Sequence, residues 1–126
     1  MGIKRKAQPF DCMQYFYGAA QEPLIRCCAR FDGHLNENAL KQAVQLSISA
    51  VPLIAYCFDE KAHCWRKHGF TADNIVHLVE AHDGSGSAAR KLLLSSIDRT
   101  CEPQLKIFLV RDEKSDTLCV IINHMV

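Results

Sequence analysis

The sequence lacks an excess of charge of either sign and has no long apolar segment. Fifteen basic residues stand against fourteen acidic ones, which leaves a formal net charge of +1. This balance excludes the positive field that recruits nucleic acid or anionic lipid, so we expect partners to be recognised by shape. No signal-peptide apolar region follows the start, and Lys6 stands where a myristoylation signal requires Ser or Thr. We therefore predict a cytoplasmic protein with no membrane span.

Cysteines with the spacing of a metal or redox motif are absent, although cysteine itself is abundant. No C-x-x-C motif occurs, the number of cysteines is odd, and two of them are adjacent, so we expect no disulfide framework. In the reducing cytoplasm a buried cysteine behaves as a small apolar residue, and most of these lie in apolar runs. We predict that they belong to the core. The seven are Cys12, Cys27, Cys28, Cys57, Cys64, Cys101 and Cys119.

Internal repeats and low-complexity tracts are lacking too, so the 126 residues should fold around one hydrophobic core. Apolar residues make up 48% of the chain and charged residues 23%, which is the balance of a globular protein. The basic cluster Lys4, Arg5 and Lys6 lies beside the chain start. We predict a mobile basic N-terminus over residues 1–9 and one folded unit over residues 10–126.

The first half of the sequence predicts helices and strands in alternation. A short helix is expected within the aromatic-rich residues 10–20, and a strand over 24–31 (LIRCCARF). Asn36 is a candidate cap for a helix that Pro52 ends. A continuous apolar strand over 53–58 and a partner around Cys64 would form a hairpin. The apolar positions expected on one face of the helix are Leu40, Ala43, Val44, Ile48 and Val51.

The second half continues this pattern and ends in its clearest feature. A strand is expected over residues 74–81, and a helix follows with Ala89, Leu92, Leu93 and Ile97 on one face. The runs LKIFLVRD and TLCVIINH, joined by polar residues 113–116, predict a strand-turn-strand unit. We therefore predict a mixed α/β protein.

The histidine pairs and a Gly-Ser run are candidate binding sites, but their spacing does not match the motifs of such sites. Histidines at 63 and 68, and at 77 and 82, are five residues apart, whereas helical zinc ligands are four apart, so we predict surface histidines and no metal site. The run Gly84-Ser85-Gly86-Ser87 precedes a helix as phosphate-binding loops do, but no Lys-Ser or Lys-Thr follows it. We predict a flexible connector in which Ser85 or Ser87 caps the helix.

His124 is the strongest candidate for chemistry, because it ends an apolar strand at the rim of the predicted sheet. A single strand-end histidine is also compatible with a hydrogen-bonded structural residue. The strand is apolar up to Val126, with no turn or polar tail after it. Such an ending would expose apolar side chains and an unpaired strand edge, so we expect that a C-terminal part is missing and that copies self-associate through this edge.

The segment IDRTCEPQLKIFLVRDEKSDTLCVIINHMV resembles the approach to the active site in the chloramphenicol acetyltransferase and condensation-domain superfamily. In that family a strand preceded by proline, a polar turn and an apolar strand lead into the motif HHxxxDG. Pro103 matches the proline, and Asn123-His124-Met125-Val126 match the first four motif positions, with asparagine in place of the first histidine. The run FDGHLNENALKQAV and the later PLIAYCF resemble the opening of the family. The resemblance covers residues 10–126.

This resemblance implies a fold and a function. The fold would be an α/β (α+β two-layer sandwich) half of the family's structure, with a mixed sheet and helices packed on one face. His124 would be the general base of a thioester-dependent acyltransferase, with acyl-CoA or an acyl carrier protein as co-substrate and no permanently bound cofactor. In the family the active site lies in a tunnel between two halves. We therefore expect the parent protein to be an enzyme, its C-terminal half to be the partner of this chain, and these residues alone to be inactive.

Two other functions remain open from the sequence. A non-catalytic α/β interaction module that binds a protein through an exposed sheet edge explains the apolar ending equally well. A small metal-binding or redox protein is suggested by composition, but by no spacing of cysteine or histidine. The acyl group, the acceptor and the residues that bind the donor are not defined by the sequence.

Overall fold

Helices and strands alternate along the chain, which confirms the mixed α/β class. A computed structural model of the protein describes residues 3–8, 23–82 and 85–126. The helix expected within residues 10–20 lies outside these ranges. The described elements are β1 (Lys4–Lys6), β2 (Leu24–Phe31), α1 (Glu37–Ala50), a 3-10 helix (Pro52–Ala55), β3 (Tyr56–Asp59), β4 (Cys64–Lys67), α2 (Ala72–Ile75), β5 (Val76–Glu80), α3 (Ser85–Leu93), β6 (Leu105–Arg111) and β7 (Asp116–Asn123).

The larger sheet has the order β2-β7-β6-β5 and is mixed. The pairs β2/β7 and β6/β7 are antiparallel, whereas β5/β6 is parallel. The turn between β6 and β7 is closed by Asp112, whose N–H donates to the carbonyl of Ser115 (3.0 Å). The predicted strand-turn-strand unit is thus confirmed. The expectation that the last strand leaves an unpaired edge is wrong, because β7 is paired on both sides, and the outer strands among the described residues are β2 and β5.

Alternate residues of the sheet face two different helices. Ile107 lies opposite Val120 and packs with Val44 of α1, whereas Phe108 lies opposite Cys119 and packs with Ala89 of α3. Neighbouring residues of a strand point to opposite faces, so α1 and α3 cover opposite faces of this sheet. We expected helices on one face of the sheet only. Helices pack on both faces because β6 and β7 carry apolar side chains on both.

Helix α1 begins at the predicted cap. The Asn36 side chain accepts a hydrogen bond from the N–H of Ala39 (3.0 Å), which satisfies one of the unpaired donors of the first turn. Val44 is buried, and Leu40 and Ile48 pack against the same core. Ala43 and Val51, expected on this face, are exposed. Pro52 ends the helix and begins the 3-10 helix, so the strand expected from residue 53 begins only at Tyr56.

The smaller sheet has the order β1-β4-β3 and contains the predicted hairpin of β3 and β4. Its core includes Phe58 and Trp65, whose rings meet edge to face with centroids 5.2 Å apart. The basic cluster, for which we predicted a mobile segment, lies in this sheet. Residues 4–6 form β1 and pair antiparallel with β4, because extended Lys and Arg stems suit an exposed edge strand.

Two element boundaries differ from the expected ones. The strand expected over residues 74–81 is divided into α2 and β5, and the N–H of Thr71 donates to Asn74 Oδ1 (2.9 Å) where α2 begins. The expected connector at residues 85–87 lies within α3, so Ser87 is not a cap. Ile97 is buried beyond the end of α3 and is not part of that helix.

The cysteines of the described ranges divide into two groups, and Cys12 lies outside these ranges. Cys57, Cys64 and Cys119 are buried as predicted, whereas Cys27, Cys28 and Cys101 are exposed. The assignment of the cysteines to the core is therefore wrong for Cys27 and Cys28, which lie on the outer strand β2, and for Cys101, which lies in the turn before β6. No helix of the described ranges is long and apolar enough to cross a membrane.

A buried ion pair closes the turn end of the β6–β7 hairpin. Arg111 donates from Nε and Nη2 to the two oxygens of Asp116, each at 2.9 Å, and Asp116 is fully buried. The same groups hold the start of α1, since the N–H of Leu35 donates to Asp116 (2.7 Å) and Arg111 donates to the Leu35 carbonyl (2.7 Å). The hydrogen bonds from Arg111 keep the pKa of Asp116 below its usual value despite burial.

We predict that Asp116→Asn lowers the free energy of unfolding at pH 7 by about 2 kcal/mol, since it weakens charge-assisted hydrogen bonds. A carboxylate with a lowered folded pKa contributes stability above its unfolded pKa, about 3.9, and loses it as the pH falls through the folded pKa. Urea unfolding from pH 7 down to pH 3 should therefore show a weaker pH dependence in the variant.

The matched control is Asp73→Asn. Asp73 also pairs with a cation, Lys41, but its side chain is 78% exposed. An exposed ion pair contributes about 0–1 kcal/mol, so this change should have little effect. Equal losses in the two variants would contradict the role assigned to the buried pair.

Candidate active site at the end of the central strand

His124 directly follows the last residue of β7 and is exposed. Its backbone N–H donates to the carbonyl of Pro23 (2.7 Å), which precedes β2. The predicted placement of the imidazole at the rim of the sheet is thus observed. Because β7 is a central strand, its end is held by neighbours on both sides.

Asn123 is almost fully buried and organises the turn that presents His124. Its Oδ1 accepts a hydrogen bond from the N–H of Met125 (3.0 Å), and its carbonyl accepts from the N–H of Val126 (3.1 Å). An asparagine side chain that accepts from the residue two positions on forms an Asx-turn. The apolar run therefore ends in a turn, and His124 occupies the outward position between Asn123 and Met125.

The side chain of Gln104 completes the buried polar network. Its Oε1 accepts a hydrogen bond from Asn123 Nδ2 (2.7 Å), and its Nε2 donates to the carbonyl of Tyr56 (2.9 Å). The carbonyls of Arg99 and Glu102 each lie 3.1 Å from the same nitrogen. A buried amide is costly unless its donors and acceptors are satisfied, and these contacts satisfy them.

Sequence reasoning missed Gln104, although the residue is fully buried. A polar residue between Pro103 and an apolar strand is equally compatible with an exposed loop. Its partners Tyr56 and Asn123 lie 48 and 19 residues away along the chain, so local pattern alone gave no indication of its role.

Met125 fixes the turn from the other side. It is buried against Tyr56, Phe58 and Trp65 of the smaller sheet, and its sulfur accepts a contact from Arg99 Nη1 at 3.7 Å. The expectation that this apolar ending exposes its side chains is wrong for Met125. The packing joins the end of β7 to the second core, which leaves His124 as the outward-facing residue of the turn.

The other histidines occupy separate positions on the surface. His63 lies in the β3–β4 turn with a positive φ of 47°, and the His68 ring stacks on Phe70 with centroids 5.7 Å apart. His77 lies against the Phe108 ring at 5.6 Å, and burial lowers the pKa of this imidazole. Within residues 3–8, 23–82 and 85–126 no three His, Cys, Asp or Glu side chains converge as metal ligands would.

The surface of the described residues includes two open grooves. One of about 390 Å³ is lined by residues 57–61 together with Arg66, His68 and Thr100. A second of about 280 Å³ lies beside His34, Glu80 and Arg111. His124 lines neither groove, so the tunnel implied by the family resemblance is not formed by either of them.

Known proteins resemble this chain in structure but not in sequence. No protein-family model matches the sequence, and no curated protein matches it. Among solved structures, the chain is similar to the tallysomycin biosynthesis protein TlmII, with a TM-score of 0.71 and 16% identity over 94% of this chain and 30% of that one.

Solved condensation domains align with this chain to a similar extent. The condensation domain of the monacolin K polyketide synthase MokA aligns with a TM-score of 0.72 and 13% identity over 96% of this chain and 30% of that one. The starter condensation domain of the rhizomide synthetase RzmA aligns with a TM-score of 0.71 and 10% identity over 99% of this chain and 34% of that one. The chain thus has the fold of a part of condensation domains and spans about a third of the length of these structures. The predicted resemblance is confirmed at the level of fold.

We predict that Asn123→Ala lowers the free energy of unfolding by about 1–3 kcal/mol, because it leaves the buried Gln104 side chain without one partner. Hydrogen exchange at the N–H of Met125 should accelerate, since its acceptor is removed. Urea unfolding and amide exchange measure the two effects.

Asn38→Ala is the matched control, because Asn38 is an exposed residue of α1. It should leave both quantities nearly unchanged. Unchanged exchange at Met125 in Asn123→Ala would exclude the Asx-turn as the device that holds this segment.

Proposed function

We propose that the chain is the N-terminal half of a thioester-dependent acyltransferase in which His124 is the general base. The observation that carries this proposal is the placement of an exposed histidine at the end of a central strand, between two buried neighbours that fix its backbone. The similarity in fold to condensation domains and the motif match of residues 123–126 support it.

The imidazole would act on the acceptor. In its neutral form it takes a proton from the hydroxyl, amine or thiol of the acceptor while that group attacks the thioester carbonyl. The tetrahedral intermediate then expels the thiolate, which receives the proton from the imidazolium. One carbon–sulfur bond is broken and one bond from the acyl carbon to the acceptor is formed, with no covalent enzyme intermediate. The acyl donor would be acyl-CoA or a carrier-bound pantetheine thioester.

Asn123 would be a positioning residue in this mechanism. In the motif of the family this position is a histidine, and the following histidine is the base. The hydrogen bonds of Asn123 to Gln104 and Met125 show how an amide holds the turn here. The substitution therefore leaves the base in place.

The partner of this chain would be the remainder of the same protein. General-base catalysis by one histidine contributes about 10²–10⁴-fold, and the rest of an enzyme's rate acceleration comes largely from positioning and exclusion of water. A second half would supply the facing wall that brings the thioester to His124. The 126 residues alone would accordingly be inactive.

The test compares the full-length parent protein with its His124→Ala variant, using acetyl-CoA and octanoyl-CoA with a primary alcohol, a primary amine and a thiol as acceptors. We expect acyl transfer by the parent, detected by mass spectrometry of the product, and a loss of kcat/KM of about 10²–10⁴-fold in the variant. His82→Ala, a change of an exposed histidine elsewhere, should retain full activity. Full activity of His124→Ala would exclude the general-base role.

A second candidate function, a non-catalytic interaction module, is favoured by the edge strand β2. Ile25 is 49% exposed and Phe31 is 37% exposed on this strand. Among the described strands β2 has a neighbour on one side only, and a sheet edge with apolar side chains can add a strand from a protein partner or from a second copy of the chain. This function predicts a defined complex that forms without a thioester and that His124→Ala leaves intact.

A further inference from the structure

Two cysteines face each other across the outer strand pair of the larger sheet. Cys28 of β2 lies directly opposite Cys119 of β7 in the antiparallel register. Directly opposite residues of a sheet project to the same face, which here is the face covered by α3. Both thiols are free, Cys28 being exposed and Cys119 fully buried.

The hydrogen-bond pattern places this pair at a non-hydrogen-bonded site of the ladder. The N–H of His124 donates to the carbonyl of Pro23 (2.7 Å), and hydrogen-bonded and non-hydrogen-bonded pairs alternate from there. The pair Cys28/Cys119 lies five positions along the register from the hydrogen-bonded pair Pro23/His124. Cys28 and Cys119 therefore form a non-hydrogen-bonded pair.

The other side of β7 gives the same assignment. The N–H of Asn123 donates to the carbonyl of Gln104, so the backbone of Asn123 is directed toward the β6 side of the sheet. Cys119 precedes Asn123 by four residues and has the same backbone direction. Its N–H and carbonyl are therefore directed toward β6 and not toward Cys28.

This geometry suits a covalent link. Opposed Cα atoms of a non-hydrogen-bonded pair are about 4.5 Å apart, and disulfides span roughly 4.4–6.8 Å between Cα atoms. The Cys119 thiol donates to the carbonyl of Ala89 at 3.7 Å, a weak contact that rotation of the side chain would break. Cys27 lies opposite Val120 and faces the other side of the sheet, so it has no cysteine across from it.

We propose that Cys28 and Cys119 are an oxidative modification site, a dithiol that a low-molecular-weight disulfide closes into a cross-strand disulfide. The Cys28 thiolate attacks one sulfur of oxidised glutathione, forming a mixed disulfide and releasing one glutathione. The Cys119 thiol then loses its proton, attacks the Cys28 sulfur and displaces the second glutathione. Two electrons and two protons pass from the two cysteines to the two glutathione molecules.

The burial of Cys119 assigns an order to the two steps. Burial raises the pKa of this thiol, and α3 covers it, so it is a poor target for an external oxidant. Exposed Cys28 is the accessible first nucleophile. Once the mixed disulfide has formed, Cys119 is the thiol directly opposite it. The site is independent of the proposed acyltransferase function.

The test incubates the reduced chain with oxidised glutathione under native conditions, blocks remaining thiols and digests the product with trypsin without reduction. We expect a mass loss of roughly 2 Da, a linked pair of peptides 27–30 and 115–126, and a Tm higher by roughly 10 °C. Because peptide 27–30 contains both Cys27 and Cys28, single variants assign the bond. The link should persist in Cys27→Ser, the matched control from the same strand, and disappear in Cys28→Ser.

Cys119→Ala keeps the buried position apolar and should also lose the link while accumulating a glutathione adduct on Cys28. Three results would overturn the proposal. These are a link that survives in Cys28→Ser, a glutathione adduct on Cys28 of the unmodified sequence that never resolves, and a dominant disulfide that involves Cys12, Cys57 or Cys101.

Discussion

The hydrogen bond between the buried amides of Gln104 and Asn123 joins the parts of this structure. Gln104 Nε2 donates to the carbonyl of Tyr56 in the smaller sheet, while Asn123 ends a central strand of the larger one. In a low-dielectric interior an unsatisfied amide would cost more than a hydrogen bond contributes, so the two sheets are held in one arrangement. The turn that carries His124 is a consequence of this arrangement, since Asn123 both closes the network and accepts from Met125.

The β6–β7 hairpin is constrained at both ends and is mostly apolar between them. At the turn end, Asp116 is buried with Arg111, and at the other end Asn123 is buried with Gln104. A slip of one residue would exchange the faces of every side chain in β7 and would separate both polar pairs. The fixed register therefore determines two features at once: the outward position of His124 and the opposition of Cys119 to Cys28.

The sequence pattern predicted those parts of the fold that depend on interactions between residues close together in the chain. The strands β6 and β7, the Asn36 cap and the hairpin of β3 and β4 follow from alternation, side-chain capping and turn residues. The position of β2 at the edge could not be predicted, because it depends on pairing between residues about a hundred positions apart, and this is why Cys27 and Cys28 were assigned to the core. His124 was found through its place at a strand end and a motif; Gln104 was not, because its partners are brought to it only by folding.

The preorganisation of His124 lies within this chain even though the chain spans a third of the solved structures that it resembles. Its backbone is held by Pro23. The preceding residue, Asn123, is held by Gln104, and the following residue, Met125, packs in the aromatic core of the smaller sheet. None of these contacts depends on a facing protein surface. In the proposed acyltransferase the facing half would therefore have to place the substrates, because the backbone position of the histidine is already held by contacts on its own side.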